Sequence, residues 1–212
     1  MQRVRQWFAF AVILLVIGGG FWLWWNFDLR WRPHTIAKNQ TQIAKILDGA
    51  GWVSPHLPGP KLYMISHRSC ADCIAFEKEA FPKLQAAGVE TRVIVIARAD
   101  TNGLAHSTAA ERATVAELWL NRDWGLLQRW LAVTPPDAWT APGLAPADGD
   151  AARTAVVEAG RKAVEDLKPL LKANGLNFAY PTLIWWTKAG VMRACTCRQP
   201  QSYGNVEWEL GA

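Results

Sequence analysis

The sequence predicts an α/β fold: a mixed sheet covered by helices, carrying a helical insertion and preceded by one transmembrane helix. Three observations carry this. The apolar runs "KLYMIS" (61–66) and "VETRVIVIA" (89–97) flank a helix-like segment, the pattern of a parallel strand pair with its crossover. The run "YPTLIWWTKAGVMRACTC" (180–197) reads as two strands around a Lys188-Ala189-Gly190 turn. Between these pairs, residues of about 104–175 carry mainly helical signals.

Taken in order, residues 7–25, "WFAFAVILLVIGGGFWLWW", contain no charge. At ~1.5 Å per residue such a run approaches the thickness of a bilayer's hydrocarbon core. It predicts an anchor over residues 1–30. Arg3 and Arg5 would keep the N-terminus in the cytoplasm, and Trp22, Trp24, Trp25 and Trp31 would lie at the far interface. Arg30 and Arg32 beyond it weaken the charge asymmetry slightly. A cleaved signal peptide is the alternative, but the apolar run is long and continues past Gly18-Gly19-Gly20 into the bulky "FWLWW". Either reading puts the remainder outside the cytoplasm, where disulfides persist.

Residues 31–60 are expected to form a juxtamembrane helix and linker. Ile36, Ile43 and Ile46 recur at near-helical spacing, and "GAGWVSPHLPGP" then breaks the pattern. Residues 61–212 form the main domain. After the first strand, residues 70–87 read as a helix kinked at Pro82 and ended by Gly88. Thr108 and Glu111 give a capping box for a helix reaching Asn121, and residues 124–133 continue as helix. The stretch "TPPDAWTAPGLAPADGD" is a loop. Asp150 caps a helix that Pro169 bends and Asn174-Gly175 stops. A short tail follows the second hairpin strand.

Composition limits the function classes. The net charge of +5 is spread without a basic run, which excludes an obvious nucleic-acid footprint. Thirteen tryptophans are many for 212 residues; the anchor accounts for several, and those at 119, 124, 130 and 139 are expected mostly in the core. Four cysteines fall in two close pairs. Cys70 and Cys73 sit where a strand hands over to a helix. A helix N-terminus favours a thiolate, the form that attacks disulfides. Cys70 is therefore the expected exposed nucleophile and Cys73 the buried resolving thiol. His67 and Arg68 should add positive charge that favours the thiolate, and Asp72 should oppose it. Glu77 and Lys78 read as a solvated helix face. A structural disulfide is the bland alternative for the pair, and zinc would want further ligands.

Cys195 and Cys197, two apart in a strand, would be about 6.6 Å from each other if fully extended. A bond between them needs a bend and would be strained, hence easily reduced. They are read as a second redox pair, with free thiols or a structural bridge as the alternatives.

With "WVSPHLPGPKLYMISHRSCADC", "VAELWLNRDWGLLQRWLAV" and "YPTLIWWTKAGVMRACTCRQP" in view, the chain resembles thioredoxin-fold proteins. More narrowly, it resembles the catalytic domain of bacterial periplasmic disulfide isomerases of the Dsb type, over roughly residues 51–210. The resemblance implies a thioredoxin-like sheet, a cis Pro181 in a loop beside Cys70, and Tyr180 backbone groups that pair with an extended substrate. It implies a thiol-disulfide oxidoreductase of the bacterial inner membrane with a periplasmic catalytic domain. Its partners would be proteins bearing thiols or disulfides and a membrane redox partner, and it would need no dissociable cofactor and no metal. Ala71-Asp72 departs from the familiar dipeptides, and the isomerases' N-terminal dimerisation domain is missing. Two other classes remain: a copper-handling assembly factor, since soft thiolates suit Cu(I), and a thioredoxin-like binding module in an envelope secretion or conjugation complex.

Overall fold

The structure, a computed structural model, describes residues 2–27 and 31–212, with the side chains of the first helix described at Trp7 and from Val12 to Trp25. It divides into two units, Met1–Arg32 and Pro33–Ala212.

The first unit is a helix, α1 (Gln2–Phe27). The expected transmembrane anchor is overturned: among the described residues, no helix is long and apolar enough to cross a membrane. The single-pass inner-membrane placement falls with it. Gly18, Gly19 and Gly20 and the tryptophans at 22, 24 and 25 dilute the apolar character of the second half of α1. The side chains of Arg3 and Arg5, and Arg30 entirely, lie outside the described residues.

The second unit is α/β. Its five-stranded sheet has the order β1-β5-β4-β2-β3. The strands are β1 (His34–Thr35), β2 (Lys61–Ser66), β3 (Glu90–Val95), β4 (Thr182–Trp186) and β5 (Met192–Cys195). Only β2 and β3 run parallel; β2–β4, β4–β5 and β1–β5 are antiparallel. Strand alternation splits the interior into two cores. Leu62, Met64, Val93, Val95, Leu183 and Trp185 face one side, and Tyr63, Ile65, Ile94, Ile96 and Ile184 face the other. Trp185 and its neighbour Trp186 accordingly pack on opposite faces.

The helices are α2 (Gln40–Gly49), α3 (Ala71–Glu79), α4 (Phe81–Ala86), α5 (Ala109–Asn121), α6 (Trp124–Ala132), α7 (Ala151–Lys172) and α8 (Tyr203–Leu210). The segment expected as a linker packs into the fold instead. Its Ile36, Ile43 and Leu47 are fully buried, and β1 adds an edge strand to β5. Pro82 does more than kink a helix: α3 stops at Ala80 and α4 restarts with the proline in its first turn, where its missing N–H is not needed. The capping box at Thr108 and Glu111 closes both ways, at 3.0 and 2.8 Å. α7 continues as one helix through Pro169 to Lys172. The supposed tail folds as α8, which buries Tyr203, Val206 and Leu210 against α3 and α4.

Candidate redox site

β2 ends at Ser66, and Cys70 is the N-cap of α3, with an extended backbone (φ −83°, ψ 103°). Its Sγ accepts the Cys73 N–H at 3.1 Å, so the sulfur satisfies one of the free donors of the first helical turn. Cys70 and Cys73 are joined by a disulfide with a Cα–Cα distance of 5.2 Å. Cys73 is fully buried and Cys70 is 6% exposed. Cys70 is thus less open than expected, showing only a small window. That window borders an open cavity of about 580 Å³ whose lining includes His67, Asp72, Lys168, Tyr180 and Arg198.

His67 reaches this cavity edge-on to Tyr180, with ring centroids 4.7 Å apart, and its Nδ1 lies 3.1 Å from Ser69 Oγ. Burial, helped by the positive field of Arg98, pushes its pKa down to about 4. The expected positive charge at His67 is therefore corrected: the ring is neutral at neutral pH. Arg68 is corrected too. Its guanidinium is buried and donates to the carbonyls of Trp130, Leu131 and Val133 at the end of α6. It satisfies helix-terminal acceptors and is committed away from the cavity. Glu77, expected on a solvated face, is half-buried. Burial raises its pKa to about 8, with Arg68 pulling the other way.

Asp72 lies between the two cysteines, and its carboxylate accepts from Arg198 Nε at 2.8 Å. The sequence reading missed Arg198. It stands 126 residues away, and no local spacing announces the pairing. The Tyr180–Pro181 peptide is cis. Pro181 is buried, and Thr182, the first residue of β4, holds the loop by donating to the Ala179 carbonyl at 2.6 Å. Tyr180 rests edge-on between His67 and Phe178, and burial raises its phenol to about 12, so it stays neutral. A second cis bond, Thr134–Pro135, was not foreseen.

Cys195 and Cys197 also form a disulfide, with a Cα–Cα distance of 5.3 Å. The chain bends after β5, and Arg198 N–H turns back to the Thr196 carbonyl at 2.9 Å. Register pairs Cys195 with Leu183, near the start of β4, so the pair lies at the same end of the sheet as the Tyr180–Pro181 loop. Both disulfides belong to one apolar cluster with Phe76, Tyr203 and Val206. Cys195 is 6% exposed and Cys197 fully buried. Among the described residues, no group of three or more His, Cys, Asp or Glu side chains is placed to hold a metal.

The structure therefore brings Cys70, Cys73, His67, Asp72 and Tyr180 to one rim, adds Arg198, and sets Arg68 apart. Two cysteine pairs close enough to bond are compatible with redox chemistry. Compared with protein-family models the chain matches none, and no curated protein matches it either.

Proposed function

We propose that the chain is a thiol-disulfide oxidoreductase acting on polypeptides through Cys70 and Cys73. One observation carries the reading: a two-cysteine disulfide at a strand-to-helix junction whose N-cap residue, Cys70, borders an open cavity. The thioredoxin-like resemblance adds that an extended substrate lies along the Tyr180–Pro181 loop.

In the dithiol form, the Cys70 thiolate attacks one sulfur of a substrate disulfide. A mixed disulfide forms and one substrate thiolate leaves. The Cys73 thiolate then attacks Cys70 Sγ, which releases the second substrate thiolate and closes the Cys70–Cys73 bond. Two electrons pass to the substrate, whose thiolates take up the two protons. The reverse sequence oxidises a substrate dithiol. The free N–H groups at the start of α3 stabilise the Cys70 thiolate. Arg198 offsets the carboxylate of Asp72, which would otherwise oppose it. Neutral His67 and Tyr180 give the rim an apolar, aromatic character suited to a peptide backbone.

The test is turnover of a fluorogenic peptide disulfide by the full chain with a dithiol reductant. Cys73→Ser should accumulate a mixed disulfide at Cys70, visible as a mass adduct lost on reduction. Turnover that persists in the Cys70→Ser variant would overturn the proposal.

A further inference from the structure

Arg98 follows β3 at the sheet edge that carries the redox site. Ile96 N–H donates to the carbonyl of Ser66 at 2.9 Å, so the chain reaches Arg98 beside the end of β2, from which the 67–70 segment departs. The backbone of Arg98 is fastened: its carbonyl accepts from Ser107 Oγ at 2.9 Å and from Arg161 Nη2 at 3.2 Å. Its side chain is not. Nε is buried with no hydrogen-bond partner among the described residues.

Arg68, Arg92 and Arg153 also leave one buried nitrogen without a partner, but each of them has other partners. Among the described residues from Pro33 onward, every other arginine has a carboxylate or carbonyl partner. Arg68 and Arg122 donate to backbone carbonyls. Arg92, Arg112, Arg129, Arg153, Arg161, Arg193 and Arg198 pair with Asp or Glu. Arg98 forms none of these ion pairs. A half-buried guanidinium with no ion pair is favourably met by an anionic group in the cavity that it lines.

There is room for one. Arg98 lines a cavity of about 460 Å³ together with Ser69, His106, Ser107, Glu111 and Asp137. Ser69 also lines the cavity that contains Cys70, so the two spaces meet at the residue preceding the reactive sulfur. The two carboxylates do not fill the role of acceptor. Glu111 is committed to the Thr108 N–H at 2.8 Å, and neither ion-pairs with Arg98. They leave acceptors beside an unmatched cation, which suits a peptide bearing both amide N–H groups and an acidic side chain.

We propose that this cavity is a docking subsite for an acidic side chain of the polypeptide substrate, near in sequence to the cysteine that exchanges with Cys70, and that Arg98 is its anion contact. The subsite rests on the oxidoreductase reading and gives it a substrate class: acidic segments around the client cysteine.

Three peptide disulfides, identical except for Glu, Gln or Lys beside the cysteine, test this on the full chain. The Glu peptide should show a kcat/KM about tenfold above the Gln peptide, and the Lys peptide should fall below both. In Arg98→Met the Glu-to-Gln ratio should fall to about one, while Arg98→Lys keeps part of it. At 0.5 M salt the ratio should shrink in the parent chain. A ratio near one in the parent, or one that survives Arg98→Met, overturns the subsite. A second measurement separates this from failure of the redox reading. Unreactive peptides with Ser in place of Cys are titrated by fluorescence anisotropy. If the chain turns over none of the peptides, the subsite stands when the Glu form binds more tightly and Arg98→Met abolishes the difference. Equal affinities then overturn it.

Discussion

Cys70–Cys73 and Cys195–Cys197 invite a direct comparison. Both pairs bond, with Cα separations of 5.2 and 5.3 Å, both carry one sulfur-bearing residue that is 6% exposed, and both lie in the same apolar cluster. Their surroundings differ. Cys70 caps a helix and borders the cavity beside Tyr180, whose lining includes neither Cys195 nor Cys197. Cys195 ends a strand, beyond which the chain turns and Arg198 meets Asp72. On the function proposed above, equal burial does not mean equal chemistry. What matters is whether the exposed sliver faces a space that a substrate can occupy, and whether helix N–H groups stand behind the sulfur.

The comparison breaks most visibly in activity. Cys70→Ser should lower turnover of a peptide disulfide by ~10³-fold or more, as loss of a nucleophile does. Replacing both Cys195 and Cys197 by Ser should lower it by less than tenfold. Equal losses in the two variants, measured as kcat/KM, would make the second pair a working redox centre.

A middle-sized effect concerns what titrates around the first pair. Glu77 has its pKa raised from 4.5 to about 8 in the folded chain. The unfolded chain therefore ionises first, and this contribution to stability is full below about pH 4.5 and declines as pH rises toward 8. His67 runs the other way, lowered from 6.5 to about 4. Its contribution is full above about pH 6.5 and is lost as pH falls toward 4. Glu77→Gln should therefore gain on the parent chain between pH 5 and 8 by an amount on the order of 1–3 kcal/mol, read from urea unfolding at both pH values. Parallel pH slopes would place Glu77 in water after all.

The smallest effect separates stability from reactivity. Arg198 and Asp72 are 60% and 35% exposed at the side chain, so Arg198→Met should change stability by only ~0–1 kcal/mol. It should nevertheless shift the pH profile of Cys70 alkylation to higher pH in the reduced chain, because Asp72 then acts on the thiolate unopposed. An unchanged profile would reduce the ion pair to a surface contact.

How far the sequence foretold all this depends on the range over which each cause acts. β2 was legible to the residue because an apolar run was bounded by Pro60 and a polar turn. The start of α5 was legible because its capping box is local chemistry. α8 and β1 were not, since Tyr203, Val206 and Leu210 are apolar only in relation to a groove made by α3 and α4, and a two-residue strand exists only through its partner. At the site, the cysteine pair could be read from spacing, and the cis proline followed from the resemblance to thioredoxin-fold proteins. The charges could not. His67, Arg68 and Glu77 are set by burial and by α6, some sixty residues away in sequence, and Arg198 reaches Asp72 from the far end of the chain. The N-terminal run misled because the absence of charge over residues 7–25 outweighed the three glycines and the tryptophans that dilute its apolar character.

Arg68 carries one more consequence. A guanidinium sewn to the end of α6 from a residue two before Cys70 ties the helical excursion to the start of α3. It is no detachable ornament. Trimming it away would strand a cation in apolar surroundings, and a partner that grips α6 has a hand on the Cys70–Cys73 pair as well.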